Sequence, residues 1–193
     1  MFERGAYVFH ESGGICQIAD IQVAPLDGMP ADRTYYIMRP MHDPNSVIYI
    51  PIDSDQIFLR RLLNREEAVE LLDRIPFVRT IEVDNAKQLR AKYIELMRMH
   101  EPLEWVRVIK TVYARTHTPA SRTSRISETE RSFSDNAKRN LHAELSLALG
   151  VPEGDMERYI TEYIQKNGVT AIEKRARLPY ANKLFKNIPN DTD

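Results

Sequence analysis

The sequence contains a single cysteine, Cys16, and so cannot form an internal disulfide. Cys16 lies in an apolar stretch, which predicts a small buried side chain rather than a reactive thiol. No apolar run approaches the roughly 18 to 20 residues that a membrane span requires. The opening MFERGAYVFH also lacks the basic and apolar segments of a signal peptide. We therefore expect a cytoplasmic protein that folds without crosslinks.

Signatures of catalysis and of cofactor or metal binding are also missing from the sequence. No glycine-rich phosphate loop is present, and the pair Gly13-Gly14 is typical of a hairpin turn because no helix follows it. His42 and Asp43 adjoin at a proline-containing turn, where solvated side chains are expected. The histidines are scattered without helical ligand spacing to a third ligand, at His10, His42, His100, His117 and His142. We expect a protein that is not an enzyme and holds no cofactor or metal.

Charge is distributed unevenly, although the net charge is only −1. Residues 1–83 carry 8 basic and 13 acidic side chains, whereas residues 84–193 carry 19 and 15. Residues 87–139 alone hold 12 basic and 6 acidic side chains, an excess that can neutralise several phosphates. Nucleic acid is therefore a candidate partner of the second half of the chain.

The first 60 residues predict a small, strongly bent sheet. Short β-branched and aromatic runs alternate there with turn residues. Because strands this short bury little as an open sheet, we expect partial closure into a small barrel that leaves one edge free. The predicted strands cover residues 7–10, 15–23, 34–39, 46–51 and 56–59.

The remainder of the chain predicts helices. Asn64 is the predicted N-cap of a helix over 65–73, which Pro76 ends, and further helices are expected over 85–99 and from Pro102 onward. A capping box of Ser127 and Glu130 begins a long helix that ends at Gly150. The last helix is predicted over 152–167, with its end at Gly168, and residues 116–126 are expected to form a flexible basic loop. On the third helix one apolar face is predicted as core, formed by Trp105, Val108, Ile109 and Val112.

The N-terminal residues follow the pattern of a known family. An aromatic residue, a glycine, a valine-containing strand and a Gly-Ile-Cys hairpin occur in that order, at Phe2, Gly5, Val8, Gly14, Ile15, Cys16, Ile18 and Ile21. Residues 36–40, 48–51 and 59–72 and the segment NLHAELSLALG continue the pattern, which covers about residues 1 to 165. The sequence thereby resembles the CarD or CdnL regulators of bacterial RNA polymerase, which share their N-terminal domain with the transcription-repair coupling factor.

This resemblance implies an α+β protein whose Tudor-like, five-stranded N-terminal domain adds its edge strand to a strand of the polymerase β subunit. A small barrel with a free edge offers unpaired backbone groups to such a partner, independently of the resemblance. Relatives often carry arginine at two contact positions that are Ala24 and Tyr49 here. The expected polymerase-binding residues are Val23, Ala24, Ser46, Val47, Ile48, Tyr49 and Ile50.

The resemblance also implies an all-α C-terminal domain on promoter DNA at the upstream edge of the melted bubble, where a family tryptophan wedges into the minor groove. Ala86 takes that tryptophan's place here, while Trp105 aligns with a core position. We expect electrostatic, largely sequence-independent contacts instead. The expected DNA-binding residues are Ala86, Lys87, Arg90, Arg107, Lys110, Arg122, Arg125, Arg131, Lys138 and Arg139.

The predicted organisation has four parts. Residues 1–60 form the polymerase-interacting domain, 61–84 a connecting helix and linker, 85–168 the helical DNA-binding domain and 169–193 a flexible tail. The predicted function is that of a monomeric transcription regulator that tunes open-complex stability. The alternative is a polymerase-binding interaction module without direct DNA contact. A sequence-specific helix-turn-helix repressor is disfavoured because no tight two-helix unit with a recognition helix is evident.

Overall fold

A computed structural model describes residues 1–54, 57–117 and 126–176, with side chains up to residue 167. The predicted α+β fold is confirmed: five strands come first and helices follow. The strands are β1 (Tyr7–His10), β2 (Gly14–Val23), β3 (Thr34–Pro40), β4 (Ile48–Pro51) and β5 (Leu59–Arg61). The α-helices are α1 (Arg65–Arg74), α2 (Ala86–Arg98), α3 (Pro102–His117), α4 (Glu128–Leu149) and α5 (Met156–Ala176), with 3₁₀ turns at Ile75–Phe77 and Glu153–Asp155.

The five strands form one antiparallel sheet in the order β4-β3-β2-β1-β5. The register of β2 against β3 shifts between Ile18 and Asp20, and such a bulge bends a strand and increases its twist. The sheet therefore curls into a half-barrel that encloses a small core on its concave face. That core comprises Val8, Cys16, Ile18, Tyr36, Met38 and Ile50.

The fifth strand was predicted three residues too early. Its pairing with β1 sets Leu59 opposite His10 and Arg61 opposite Val8, so the strand covers Leu59–Arg61 rather than 56–59. This register depends on a long-range partner and not on local residue preference. Gln56, at the start of the predicted strand, lies outside the described residues.

The convex face of the sheet packs against the helices. Val8 belongs to the half-barrel core, whereas its neighbour Phe9 lies in the helical core, because successive side chains of a strand point to opposite faces. The rings of Phe9 and Trp105 lie 5.2 Å apart. Ile15 of β2 joins the same cluster. The convex face of the sheet and the helices thus share one apolar core, distinct from the core inside the half-barrel.

Helix ends follow the predicted capping residues in three cases. The side chains of Asn64 and Ser127 both form capping boxes, and Gly150 ends α4 with a left-handed φ of 70°. The predicted core face of α3 is also confirmed, since Trp105, Val108 and Val112 are buried and Ile109 is half-buried.

The last helix differs from its prediction at both ends. Pro152 has an extended ψ of 139° and precedes a 3₁₀ turn, so α5 begins at Met156. Gly168 does not end the helix, which continues to Ala176, because a single interior glycine costs only about 1 kcal/mol and the residues after it tolerate helix. Residues 169–176 are therefore helical, and 177–193 of the predicted tail lie outside the described residues.

The predicted loop over 116–126 is shorter at its start, because Thr116 and His117 still belong to α3. Residues 118–125 of this loop lie outside the described residues. The division into four parts remains a prediction. Among the described helices, none combines the length and apolarity needed to cross a membrane.

Candidate functional site

Strand β4 is an edge strand of the half-barrel. In the part of the chain that the structure describes, it pairs with β3 and with no other strand. Just beyond its end, the Ile52 amide donates to the Thr34 carbonyl at 3.0 Å. Because antiparallel partners alternate along a strand, Ile50 and Ile48 also face β3, and the N–H and C=O groups of Tyr49 point away from the sheet. Val47 precedes the paired residues of β4, which begin at Ile48.

The inward side chains of β4 anchor this edge. Ile50 is 2% exposed and belongs to the half-barrel core, while Tyr49 lies on the opposite face and is half-buried. A side chain added at Gly13 would lie 2.8 Å from Cδ1 of Ile48. The absence of a side chain at Gly13 therefore leaves the space that Ile48 occupies.

The turn before β4 is held by its own hydrogen bonds. The Asp43 amide donates to Pro40 O at 3.3 Å, and the Ser46 amide donates to Asp43 O at 3.1 Å. Arg39 Nη1 donates to Pro44 O at 3.2 Å. Ser46 thus belongs to the turn, and strand pairing begins at Ile48 rather than at the predicted residue 46. These contacts fix the start of the free edge.

The two remaining polymerase-binding candidates lie elsewhere on the sheet. Val23 pairs with Thr34 of β3, so β3 separates it from the free edge of β4. Val23 is 60% exposed, and Ala24 has a positive φ of 39° and donates its amide to Arg33 O at 3.0 Å. The structure therefore places Val23 and Ala24 at the end of the sheet and not on the edge itself.

Five of the predicted DNA-binding positions are exposed on helices. Ala86, Lys87 and Arg90 lie in the first turns of α2, where the Asn85 side chain accepts from the Gln88 amide at 2.9 Å. Arg131 and Arg139 are exposed on α4. Within the described ranges, no salt bridge engages the four cations of this set. Their charges face solvent.

Three other predicted DNA-binding cations contact the protein itself. Lys110 donates to the carbonyls of Ile75 (2.9 Å) and Pro76 (3.1 Å), and burial lowers the pKa of Lys110. Arg107 lies 2.9 Å from Glu104. Lys138 donates to Glu157 at 2.9 Å, which lowers the pKa of the Glu157 carboxyl. Arg122 and Arg125 lie outside the described residues.

Sequence reasoning missed an ion pair that joins the sheet to the helices. Both terminal nitrogens of Arg60 in β5 donate to Glu144 of α4, at 2.7 and 2.8 Å, and Arg60 Nε donates to His100 O at 2.8 Å. Arg60 also lies 4.9 Å from the ring centroid of Phe9. Glu144 is completely buried among apolar residues of the segment NLHAELSLALG. In the sequence, the one indication of this ion pair was the position of Glu144 on the otherwise apolar face of that segment.

Comparison with known families identifies the first third of the chain. Residues 2–63 match the family described as the CarD-like/TRCF RID domain. No curated protein shows significant similarity to the chain. The matched range contains all five strands and ends just before α1. Residues 2–63 are thus similar to the CarD-like domain, and the proteins of that domain family interact with RNA polymerase.

Proposed function

We propose that this protein is a transcription regulator that binds the β subunit of RNA polymerase through the free edge of β4 and contacts promoter DNA through its helices near the upstream edge of the bubble. Such binding would tune the stability of the open complex. The observation that carries the polymerase half of the proposal is the outward-facing backbone of Tyr49 on an edge strand of a CarD-like domain.

The edge strand suits main-chain recognition. Strand addition takes most of its affinity from backbone hydrogen bonds, and its specificity from side chains on alternate positions. Tyr49 presents both an N–H and a C=O outward, while Pro51, in the same register, can only accept. Within β4, the partner strand therefore meets an outward N–H at Tyr49 alone.

A proline at Tyr49 tests this contact. Because the Tyr49 N–H does not serve the β3 pairing, Tyr49→Pro should leave the sheet folded yet remove one donor to the partner strand. We expect about 5- to 10-fold weaker binding of purified RNA polymerase, the loss that a hydrogen bond worth about 1 kcal/mol produces, with some added strain. Binding is measured by surface capture of the polymerase on the immobilised protein.

Tyr49→Ala is the matched control, since it removes the same side chain and keeps the N–H. The difference between the two variants isolates the backbone contribution, and thermal unfolding checks that both remain folded. Equal binding by Tyr49→Pro and Tyr49→Ala would show that the partner does not pair with this edge.

The helical half of the proposal depends on exposed cations. Lys87 and Arg90 project from the first turns of α2 in a region with twice as many basic as acidic side chains. Each phosphate contact releases counterions, so affinity falls as salt rises, without sequence preference. We expect Lys87→Glu/Arg90→Glu to shorten the promoter-complex lifetime with cognate polymerase. The control Arg4→Glu/Arg158→Glu makes the same charge change at exposed positions elsewhere.

The second candidate function is a polymerase-binding module whose helices contact another protein and no DNA. It is favoured by the contacts of Arg107, Lys110 and Lys138 with other groups of the protein, which reduce the number of unpaired cations among the described candidates. Salt separates the two: phosphate contacts predict DNA binding that weakens steeply with added salt, whereas a module without DNA contact binds no DNA even at low salt. Equal promoter-complex lifetimes for wild type and Lys87→Glu/Arg90→Glu would favour this module.

A further inference from the structure

Helix α3 ends in an exposed pair of aromatic rings. Tyr113 is 62% exposed, the most exposed of the large aromatic side chains that the structure describes. The imidazole of His117 stacks on it with ring centroids 4.0 Å apart and planes 16° from parallel. The two residues are four positions apart and so share one face of the helix. The ring of Tyr113 lies outside the buried face of α3 that includes Trp105 and Val112.

Hydrogen bonds hold the second ring of this pair in place. Nδ1 of His117 lies 3.0 Å from the Tyr113 carbonyl oxygen and 2.8 Å from Thr116 Oγ1. The hydroxyl of Thr116 in turn lies 2.8 Å from the same Tyr113 carbonyl. A ring pair that is ordered before it binds loses less conformational entropy on binding.

The exposed rings share one end of the helical domain with the start of α2. Just before α2, the Ile81 amide donates to Thr111 Oγ1 at 2.9 Å, two residues from Tyr113. Further along α2, the ring of Tyr93 lies 5.6 Å from that of Phe133 in α4, and Arg115 of α3 pairs with Glu130 of α4 at 3.0 Å. Helix α2 is therefore held beside the C-terminal part of α3 and the start of α4.

We propose that Tyr113 and His117 form a stacking platform for an unpaired base of melted DNA. This inference rests on the DNA contact proposed above. Every base has a flat π-face, and stacking on an aromatic side chain contributes whatever the sequence. Lys87 and Arg90 on α2 and Arg131 on α4 are exposed cations of the two helices that pack beside this end of α3, although Asp84 and Glu128 at the helix starts offset part of their charge. Stacking therefore supplies the larger share of the contact.

The test compares two DNA probes of equal length, a fully paired duplex and the same duplex with a central unpaired bubble that carries 2-aminopurine. Binding of the full chain at low salt is measured by fluorescence polarisation, and stacking by quenching of the 2-aminopurine. We expect Tyr113→Ala to weaken bubble binding by about 5- to 100-fold and to abolish the quenching, with duplex binding changed less than about 2-fold.

Two control variants accompany this change. Tyr113→Phe keeps the ring and should retain both bubble affinity and quenching. Tyr7→Ala removes another exposed tyrosine, 39% exposed on β1, and should have no effect on either probe. Unchanged bubble binding by Tyr113→Ala, or an equal loss on both probes, overturns the platform.

The outcomes also separate this inference from the proposed function. If Lys87→Glu/Arg90→Glu weakens binding to both probes while Tyr113→Ala weakens neither, the DNA contact stands and the platform is wrong. If the wild-type protein binds neither probe at low salt, both are wrong, and the exposed rings are then a surface for another protein.

Discussion

Arg60 and Glu144, 84 residues apart in the sequence, form a two-pronged ion pair across the boundary between the sheet and the helices. Glu144 is completely buried, and its Oε1 also accepts the Leu63 amide at 2.9 Å. Both carboxylate oxygens are thus engaged, as a buried charge requires. The pair fixes β5, and with it the half-barrel, against α4.

Removing one partner of this pair should destabilise the fold. Glu144→Ala leaves Arg60 without its counter-charge and the Leu63 amide without an acceptor, so we expect a loss of about 3 to 5 kcal/mol in the free energy of unfolding. Chemical denaturation of the full chain measures it. The exposed pair Lys92–Glu95 provides the control, since Glu95→Ala should cost less than about 1 kcal/mol. Similar losses for the two variants would show that the buried pair does not stabilise the contact between sheet and helices more than a surface ion pair does.

Gly13→Ala should displace strand β4, the free edge of the sheet, through the side chain of Ile48. The added methyl group would meet Ile48 Cδ1 at 2.8 Å and both Cys16 Sγ and His10 Nδ1 at 3.0 Å. Displacing Ile48 shifts β4, so we expect about 1 to 3 kcal/mol lower stability and weaker polymerase capture. Gly154→Ala is the control, because open space surrounds that position, and its melting temperature should be unchanged or slightly higher. Wild-type behaviour of Gly13→Ala would contradict the tight packing.

Lys110 and Lys87 should respond oppositely to the same substitution. Lys110→Met removes two hydrogen bonds to the carbonyls at the end of α1 and should cost about 1 to 2 kcal/mol in stability. Lys87→Met should leave stability unchanged but lower DNA affinity and reduce the slope of affinity against salt by about one. Denaturation and salt titrations measure the two effects. If Lys110→Met reduced the salt slope instead, Lys110 would be a phosphate contact.

The pH dependence of stability should carry a contribution from His10. Burial lowers the pKa of His10, Glu11 opposes this shift and His100 adds to it. Nδ1 of His10 accepts the Gly13 amide at 2.9 Å and must be unprotonated there. Because the folded-state pKa lies below the unfolded value of about 6.5, this contribution is present above pH 6.5 and is lost as the pH falls below it.

His10→Asn keeps an acceptor near the position of Nδ1 but does not titrate. Between pH 7 and pH 5 its melting temperature should fall less than that of the wild type. Part of the slope should persist, since burial also lowers the pKa values of His100 and His142. Identical slopes for the variant and the wild type would exclude His10 as a source of the acid sensitivity.

Local signals in the sequence were sufficient for the parts of the fold that local physics decides. Asn64, Ser127 and Gly150 set helix ends within a few residues of themselves, and the structure confirms each of them. The register of β5 and the Arg60–Glu144 pair depend on partners more than 45 residues away in the sequence, which composition and periodicity do not specify. The prediction that Gly168 ends the last helix was wrong, because a single interior glycine destabilises a helix only weakly.

The candidate site shows the same division. The edge position of β4 could be anticipated from the short strands and the family resemblance. The sequence could not show which of the predicted cations are unpaired. Lys110 and Lys138 have partners at residues 75, 76 and 157, and these contacts are known only once the helices are placed. The Tyr113–His117 stack could not be predicted either, because it depends on the conformations of two exposed side chains, which the sequence does not specify.

The alternation of Val8 and Phe9 between two cores has a practical consequence for anyone who divides this protein. A fragment cut after residue 63 would keep its strands but lose the helices that cover Phe9 and Ile15. It would expose an apolar surface to solvent and should self-associate, which size-exclusion chromatography would detect. Transplanting the half-barrel alone onto another protein therefore calls for a polar replacement at both positions.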